Sequence, residues 1–317
     1  MLQCGPPDVT YSQPLEQPPQ PAGQSLLQRV KSRLFLRSRR KATHLLDGHY
    51  ASIHRGRSLD FDDLREYVPG DAVADIDWKA TARANTTLIR RWADERRHRV
   101  LFVVDSGRNM AARSLGDDLK RDIAVTVTGT LGYLSLRHGD EIGLITGDAN
   151  GIRQRPFRSS EAALEALLRD IHDAATLAAP ISDTQALLDR ARLTLRQRAL
   201  IVVVTDEIGL SEDLETSIIA LAAQHELVWV EVLDADPTNH ARGSARIFDV
   251  DGEWELPAAL RDNSRLQREF EQQAVTRRER MRDLLEHRGI TVARIGRHED
   301  AVPELLRALK ARQYARR

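Results

Sequence analysis

Residues 100–110 read Val100-Leu101-Phe102-Val103-Val104-Asp105-Ser106-Gly107-Arg108-Asn109-Met110. The first five are continuously apolar, the pattern of a strand buried on both faces. The run ends at once in a carboxylate followed by a hydroxyl. Such an ending delivers an acidic loop to the edge of a parallel sheet, where a divalent cation, or a partner's carboxylate through that cation, would sit. A second run, Ala199–Thr205, ends the same way at Asp206-Glu207, and Thr184 opens the helix between the two. For either Asp alone a turn or helix cap is the ordinary explanation. The pair, with Thr184, reads instead as a binding rim.

Working outward, apolar runs alternate with helical periodicities. Helical patterns cover 115–136, 160–175, 184–195, 213–224, 264–287 and 301–311. Strand patterns cover 100–104, 141–146, 151–155, 199–205, 227–233 and 290–295. Ser160 is a natural N-cap, and His138-Gly139 and Gly289 are stop signals. Strands rich in Val and Ile between helices predict an α/β chain with a doubly wound, mostly parallel sheet covered on both faces. The charge run Arg277-Arg278-Glu279-Arg280 reads as a solvated face of a covering helix.

The amino-terminal third differs. Residues 1–23, rich in Pro, Gln and Gly, read as a disordered leader, 24–97 as a basic helix with a small subdomain, and 98–317 as the sheet-bearing domain. Between Gln24 and Arg57 nine basic residues stand against the single acid Asp47. The spacing Leu26, Leu27, Val30, Leu34 makes an amphipathic helix. It either packs on its own domain or touches a membrane surface or an acidic partner.

The bulk numbers exclude several classes. Lys plus Arg and Asp plus Glu each total 47 in the 317 residues, so net charge gives no reason to expect nucleic acid. The lone Cys4 excludes an internal disulfide framework and a cysteine zinc site. No apolar run precedes it to form a secretory leader, and no run is long enough to span a membrane. A cytoplasmic location is expected. Lys79 follows no glycine-rich loop, and no Gly-x-Gly-x-x-Gly occurs. Ser106 has no His in a catalytic arrangement, so no activated nucleophile is expected.

Arg65-x-Tyr67-x-Pro69-Gly70-Asp71, followed by Ile76-Asp77-Trp78-x-Ala80-x-Ala82-Arg83, resembles the signature of the bacterial domain-of-unknown-function family fifty-eight, over about residues 40–240. The resemblance implies a von Willebrand factor A-like domain. It implies a non-enzymatic adaptor of a MoxR-type AAA+ ATPase acting on an unknown client. It also implies a metal-ion-dependent adhesion site formed by Asp105, Gly107, Asn109, Thr184 and Asp206, holding magnesium or manganese. Gly107 and Asn109 stand where serines are expected, so the site is degenerate: glycine removes a ligand, while the Asn109 amide oxygen is still a hard donor.

The signature itself reads in two compatible ways. Pro69-Gly70 fits a tight turn closed by Asp71. Arg65, Asp75, Asp77 and Arg83 suggest an ion-pair network that pins a hairpin onto the sheet, with Tyr67 and Trp78 packed inside. Trp, Tyr and Arg also dominate interface hot spots, which makes the segment a docking face. A different class, a metal-dependent nuclease or hydrolase using Asp71, Asp77 and Lys79, follows from a permissive acid … acid-x-Lys pattern.

Overall fold

The computed structural model describes residues 25–37, 61–68, 71, 73, 76–84, 86–92, 98–235, 250 and 264–315. The leader at 1–23, together with Pro69, Gly70 and Asp75, lies outside the described residues.

Six strands form one sheet: β3 (Arg99–Asp105), β4 (Glu141–Asp148), β5 (Gly151–Arg158), β6 (Leu200–Asp206), β7 (Glu226–Val232) and β8 (Thr291–Ile295). Their order is β5-β4-β3-β6-β7-β8, all parallel except β5, which turns back along β4 as a hairpin. This is the doubly wound α/β architecture expected from the alternating pattern. From β3 the chain winds outward to β4 and β5, then crosses back to β6 on the other side. The switch point therefore falls between the carboxyl ends of β3 and β6, where such sheets open a crevice.

Both faces are covered. Alternate residues of a strand point to opposite faces. Val100, Phe102 and Val104 pack with α1 (Leu26–Arg37), α3 (Lys120–Arg137), α4 (Glu161–Ala174) and α8 (Ala301–Ala315). Leu101 and Val103 pack with α5 (Thr184–Thr194), α6 (Glu212–Gln224) and α7 (Ser264–His287). A fully buried Val or Leu contributes about 1.5–3 kcal/mol, so these two layers explain why the run at 100–104 had to be apolar throughout. Helix starts follow local capping: the side chains of Ser160, Asp183 and Ser211 accept the amides of Ala163, Ala186 and Leu214.

Three differences from the sequence reading have physical causes. The helix expected from residue 115 begins at Lys120, because 113–119 form a loop held by bridges Arg113–Leu119 and Ser114–Asp234. Among the described residues the amino-terminal segment adds no strand to the main sheet. It forms its own pair, β1 (Phe61–Glu66) antiparallel to β2 (Leu88–Trp92), around α2 (Trp78–Ala84). The basic helix α1, grouped with that segment in the sequence, packs on the sheet-bearing body instead. Leu27, Val30 and Leu34 are buried against α3 and α4, and Glu165 accepts the Leu26 and Leu27 amides. The face formed by Leu27, Val30 and Leu34 is thus taken up internally. No helix among the described residues is long and apolar enough to cross a membrane.

Candidate functional site

β3 and β6 run in register from Val100 beside Leu200 to Val104 beside Val204. Asp105 therefore ends next to Thr205, with Asp206 one residue beyond. The pleat then distributes partners. Asp105 and Thr205 share the parity of residues facing α5, and Thr184, the first residue of α5, meets both: its Oγ1 donates to Asp105 Oδ2 at 3.4 Å and lies 3.3 Å from Thr205 Oγ1. Asp206 shares the parity of Val202 and Val204, which face α3. Lys120, the first residue of α3, places its Nζ 3.5 Å from Asp206 Oδ2.

Asp105 is 1% exposed. Its Oδ1 accepts the Gly107 amide at 2.8 Å, which folds the loop back on the strand end, and the Ser106 amide and hydroxyl both donate to Gly147 O at 3.1 Å. Burial pushes the Asp105 carboxyl up to about 7, the Asp206 charge adds to the rise, and the Gly107 amide with the Ser182 and Thr184 hydroxyls offset part of it. Gly107 has a steric reason to be glycine. A Cβ there would lie 2.5 Å from Ser182 Oγ and 2.6 Å from Ser182 N. The Arg108 amide donates to Pro180 O at 2.8 Å and its guanidinium to Ala179 O at 3.0 Å, so the loop after β3 is stitched to the loop before α5. Asn109 is half-buried in the short 3-10 turn Arg108–Ala111, where its carbonyl accepts the Ala112 amide.

The sequence reading missed Lys120, Ser182 and Asp234. Lys120 is 1% exposed, and its ammonium pairs with Asp234 as well as Asp206. Burial alone would lower the Lys120 pKa, but the charges of Asp206 and Asp234 outweigh it and hold the ammonium above its ordinary value. Asp234 is itself raised, chiefly by burial against the opposing pull of Lys120. Further along the edge, Glu207 accepts the Asp234 amide and pairs with Arg278, and Glu231 pairs with Arg294 at 2.7 Å. One residue of the run read as a solvated face thus reaches the rim. A lysine opening a helix, where the helix dipole disfavours a cation, would have been the signal, but the helical pattern read from residue 115 hides that position.

The resemblance implies a divalent cation among Asp105, Gly107, Asn109, Thr184 and Asp206. These residues do not fit one. Gly107 has no side-chain oxygen and no room for one, and Asp206 Oδ2 already faces an ammonium. Asp206 Oδ1, buried, has no hydrogen-bond partner among the described residues.

In the signature segment Arg65 forms a two-pronged pair with Asp71, at 2.8 and 2.7 Å, and Asp71 also accepts the Val68 amide at 3.0 Å. Asp77 accepts the Lys79 and Ala80 amides, both at 3.0 Å, as the cap of α2. The Tyr67 amide donates to Thr87 O at 2.9 Å. Trp78 is 65% exposed, so it is not the packing residue expected, and Arg83 is exposed too.

The family model described as "Protein of unknown function DUF58" matches residues 63–280. Proteins of Mycobacterium bovis and Mycobacterium tuberculosis, each described as uncharacterized, are 26% identical over 236 residues, 73% of this chain and 74% of theirs. An aerotolerance-related membrane protein from Bacteroides fragilis is similar in structure at 14% identity and a TM-score of 0.43, over 68% of this chain and 99% of that one. A von Willebrand factor type A protein from Catenulispora acidiphila is similar at 10% identity and a TM-score of 0.40, over 72% of this chain and 45% of that one.

Proposed function

This chain belongs to the DUF58 family, and from that premise we propose that it is a non-catalytic adaptor whose carboxyl-end rim contacts a protein partner, a MoxR-type AAA+ ATPase handling a client. The supporting observation is where large apolar side chains are left in water. Leu115 is 52% exposed, Leu177 67% and Ile181 47%. All three lie on the loops over the sheet's carboxyl edge: the Leu115 amide donates to Leu233 O beyond β7, and Ile181 O accepts the Ala149 amide beyond β4. Apolar groups gathered around buried charge suit a partner that excludes water. Asp105, Asp206 and Lys120 lie beneath them and fix the loops, while Asn109 and Thr184 belong to the same edge.

Arg65, Tyr67, Asp71, Asp77 and Arg83 would organise a second contact face. There Trp78 stands out in water with Val68 and Val73, 57% and 62% exposed. The nuclease alternative gains no support from the same residues. Asp71 is engaged by Arg65, and Asp77 caps a helix.

The test is capture of a MoxR-type ATPase by the tagged full chain, compared with Leu177→Glu and Ile181→Glu. Both substitutions fall on exposed side chains and are expected to leave the fold intact while reducing capture at least tenfold. Unchanged capture would remove the rim from the contact surface.

A further inference from the structure

We propose that Lys120 is the resident cation of the rim: its ammonium, enclosed by Asp206 and Asp234, takes the role that a divalent ion would otherwise fill, and the edge is metal-independent for that reason.

Four observations carry this. First, Lys120 is 1% exposed, and a buried ammonium is tolerated only where carboxylates surround it. Its two partners come from the ends of two neighbouring strands, Asp206 closing β6 and Asp234 following β7. Second, the lysine sits at the first position of α3 behind an N-cap, Leu119, that makes no side-chain hydrogen bond. That place favours anions, so the position is explained by the acids it neutralises and not by the helix it opens. Third, the loop ahead of it is built to seal it in. The Ser114–Asp234 bridge, the Ala235 amide on Arg113 O and the Lys120 amide on Ala112 O close residues 112–120 over the strand ends. Fourth, of the five residues the resemblance assigns to a cation, Gly107 has no side-chain oxygen, and Asp206 Oδ2 faces the ammonium.

A single buried ammonium bridges two carboxylates, as a metal would, with one difference. The ammonium offers no open coordination position, so a partner is not recruited by ligating it. What it stabilises is the shape of the loop carrying Leu115.

The idea goes beyond the adaptor reading and is tested apart from it, with manganese alone as the probe. Manganese is titrated into the full chain and into Lys120→Ala, and the free ion is followed by electron paramagnetic resonance. The native protein is expected to leave manganese free at millimolar concentration. Lys120→Ala is expected to bind one ion at least tenfold more tightly and to gain thermal stability with it. Submillimolar binding by the native chain that disappears in Asp206→Asn overturns the proposal. So does a folded Lys120→Ala that binds no better than native. Should Lys120→Ala not fold, recovery of its circular dichroism in manganese supports the proposal, and failure to recover overturns it. Lys120→Arg, which keeps the charge, is expected to remain blind to the metal.

Discussion

Gly107 lies so close beneath Ser182 that a Cβ on residue 107 would stand 2.6 Å from the Ser182 amide nitrogen. Backbone cannot swing aside as a side chain can, so the two loops would have to part. Restoring the serine of the adhesion motif, Gly107→Ser, is therefore expected to lower stability by about 1–3 kcal/mol, the usual penalty of overpacking. It should confer no metal affinity. Urea denaturation with a parallel manganese titration checks both halves, and a stable Gly107→Ser that binds manganese would contradict the steric account.

Asp105 makes stability depend on pH in a direction opposite to most carboxylates. Its folded pKa is raised to about 7, against about 3.9 when unfolded. Between those values the folded chain holds more protons than the unfolded one, so stability falls as pH rises from 4 to 7 and stays reduced above. His298, pushed down to about 4 chiefly by burial, acts in reverse: the folded chain holds fewer protons, and stability rises up to about pH 6.5. The native profile mixes the two. Asp105→Asn isolates the first, and its stability advantage over native should grow from pH 5 to pH 8 by at most about 3 kcal/mol, from the roughly two pK steps between pH 5 and 7 at 1.36 kcal/mol each. A difference that does not change with pH would dismiss the assignment.

The rim's acids and the sheet were legible for one reason: a strand buried on both faces must be apolar throughout, so its end is marked by the first polar residue. Asp105 is that residue, Asp206 follows directly on Thr205, and Thr184 is reached by counting helices. Lys120 was not legible. Its partners lie 86 and 114 positions away, and a helix pattern that seemed to begin at 115 hid its place at the helix start. Ser182 escaped because its contact with Gly107 is one of backbone proximity, which leaves no mark on residue type. Trp78 misled because an aromatic in a charged segment suggests packing, whereas α2 has no buried residue.

Helix α1 seats Val30 over Gly129 of α3, where an added Cβ would come within 2.8 Å of Val30 Cγ2. Leu34 beside it is 1% exposed. Leu34→Ala is expected to destabilise the body by about 2–5 kcal/mol, the range for a buried leucine truncated in a core, and Gly129→Ala to weaken the same seat. Since the apolar face is used internally, the full chain should not sediment with anionic vesicles. Sedimentation that Leu34→Ala leaves unchanged would show that some other surface meets the lipid.

The pairing of Arg65 with Asp71 closes the turn that follows β1, and Asp71 at the same time holds the Val68 amide. Arg65 is exposed, so its removal should leave the main core untouched while freeing that turn. Amide exchange is the appropriate measure. In Arg65→Ala the Tyr67 and Val68 amides are expected to exchange faster, with Val104 in the central strand unchanged. Trp78, two-thirds exposed on the neighbouring helix, makes the complementary case. Trp78→Ala should shift stability by no more than about 0.5 kcal/mol, as surface changes usually do, yet reduce capture of the ATPase partner. If instead Trp78→Ala destabilises the chain strongly and capture falls only in proportion to the unfolded fraction, the ring is a packing residue and the second contact face does not exist.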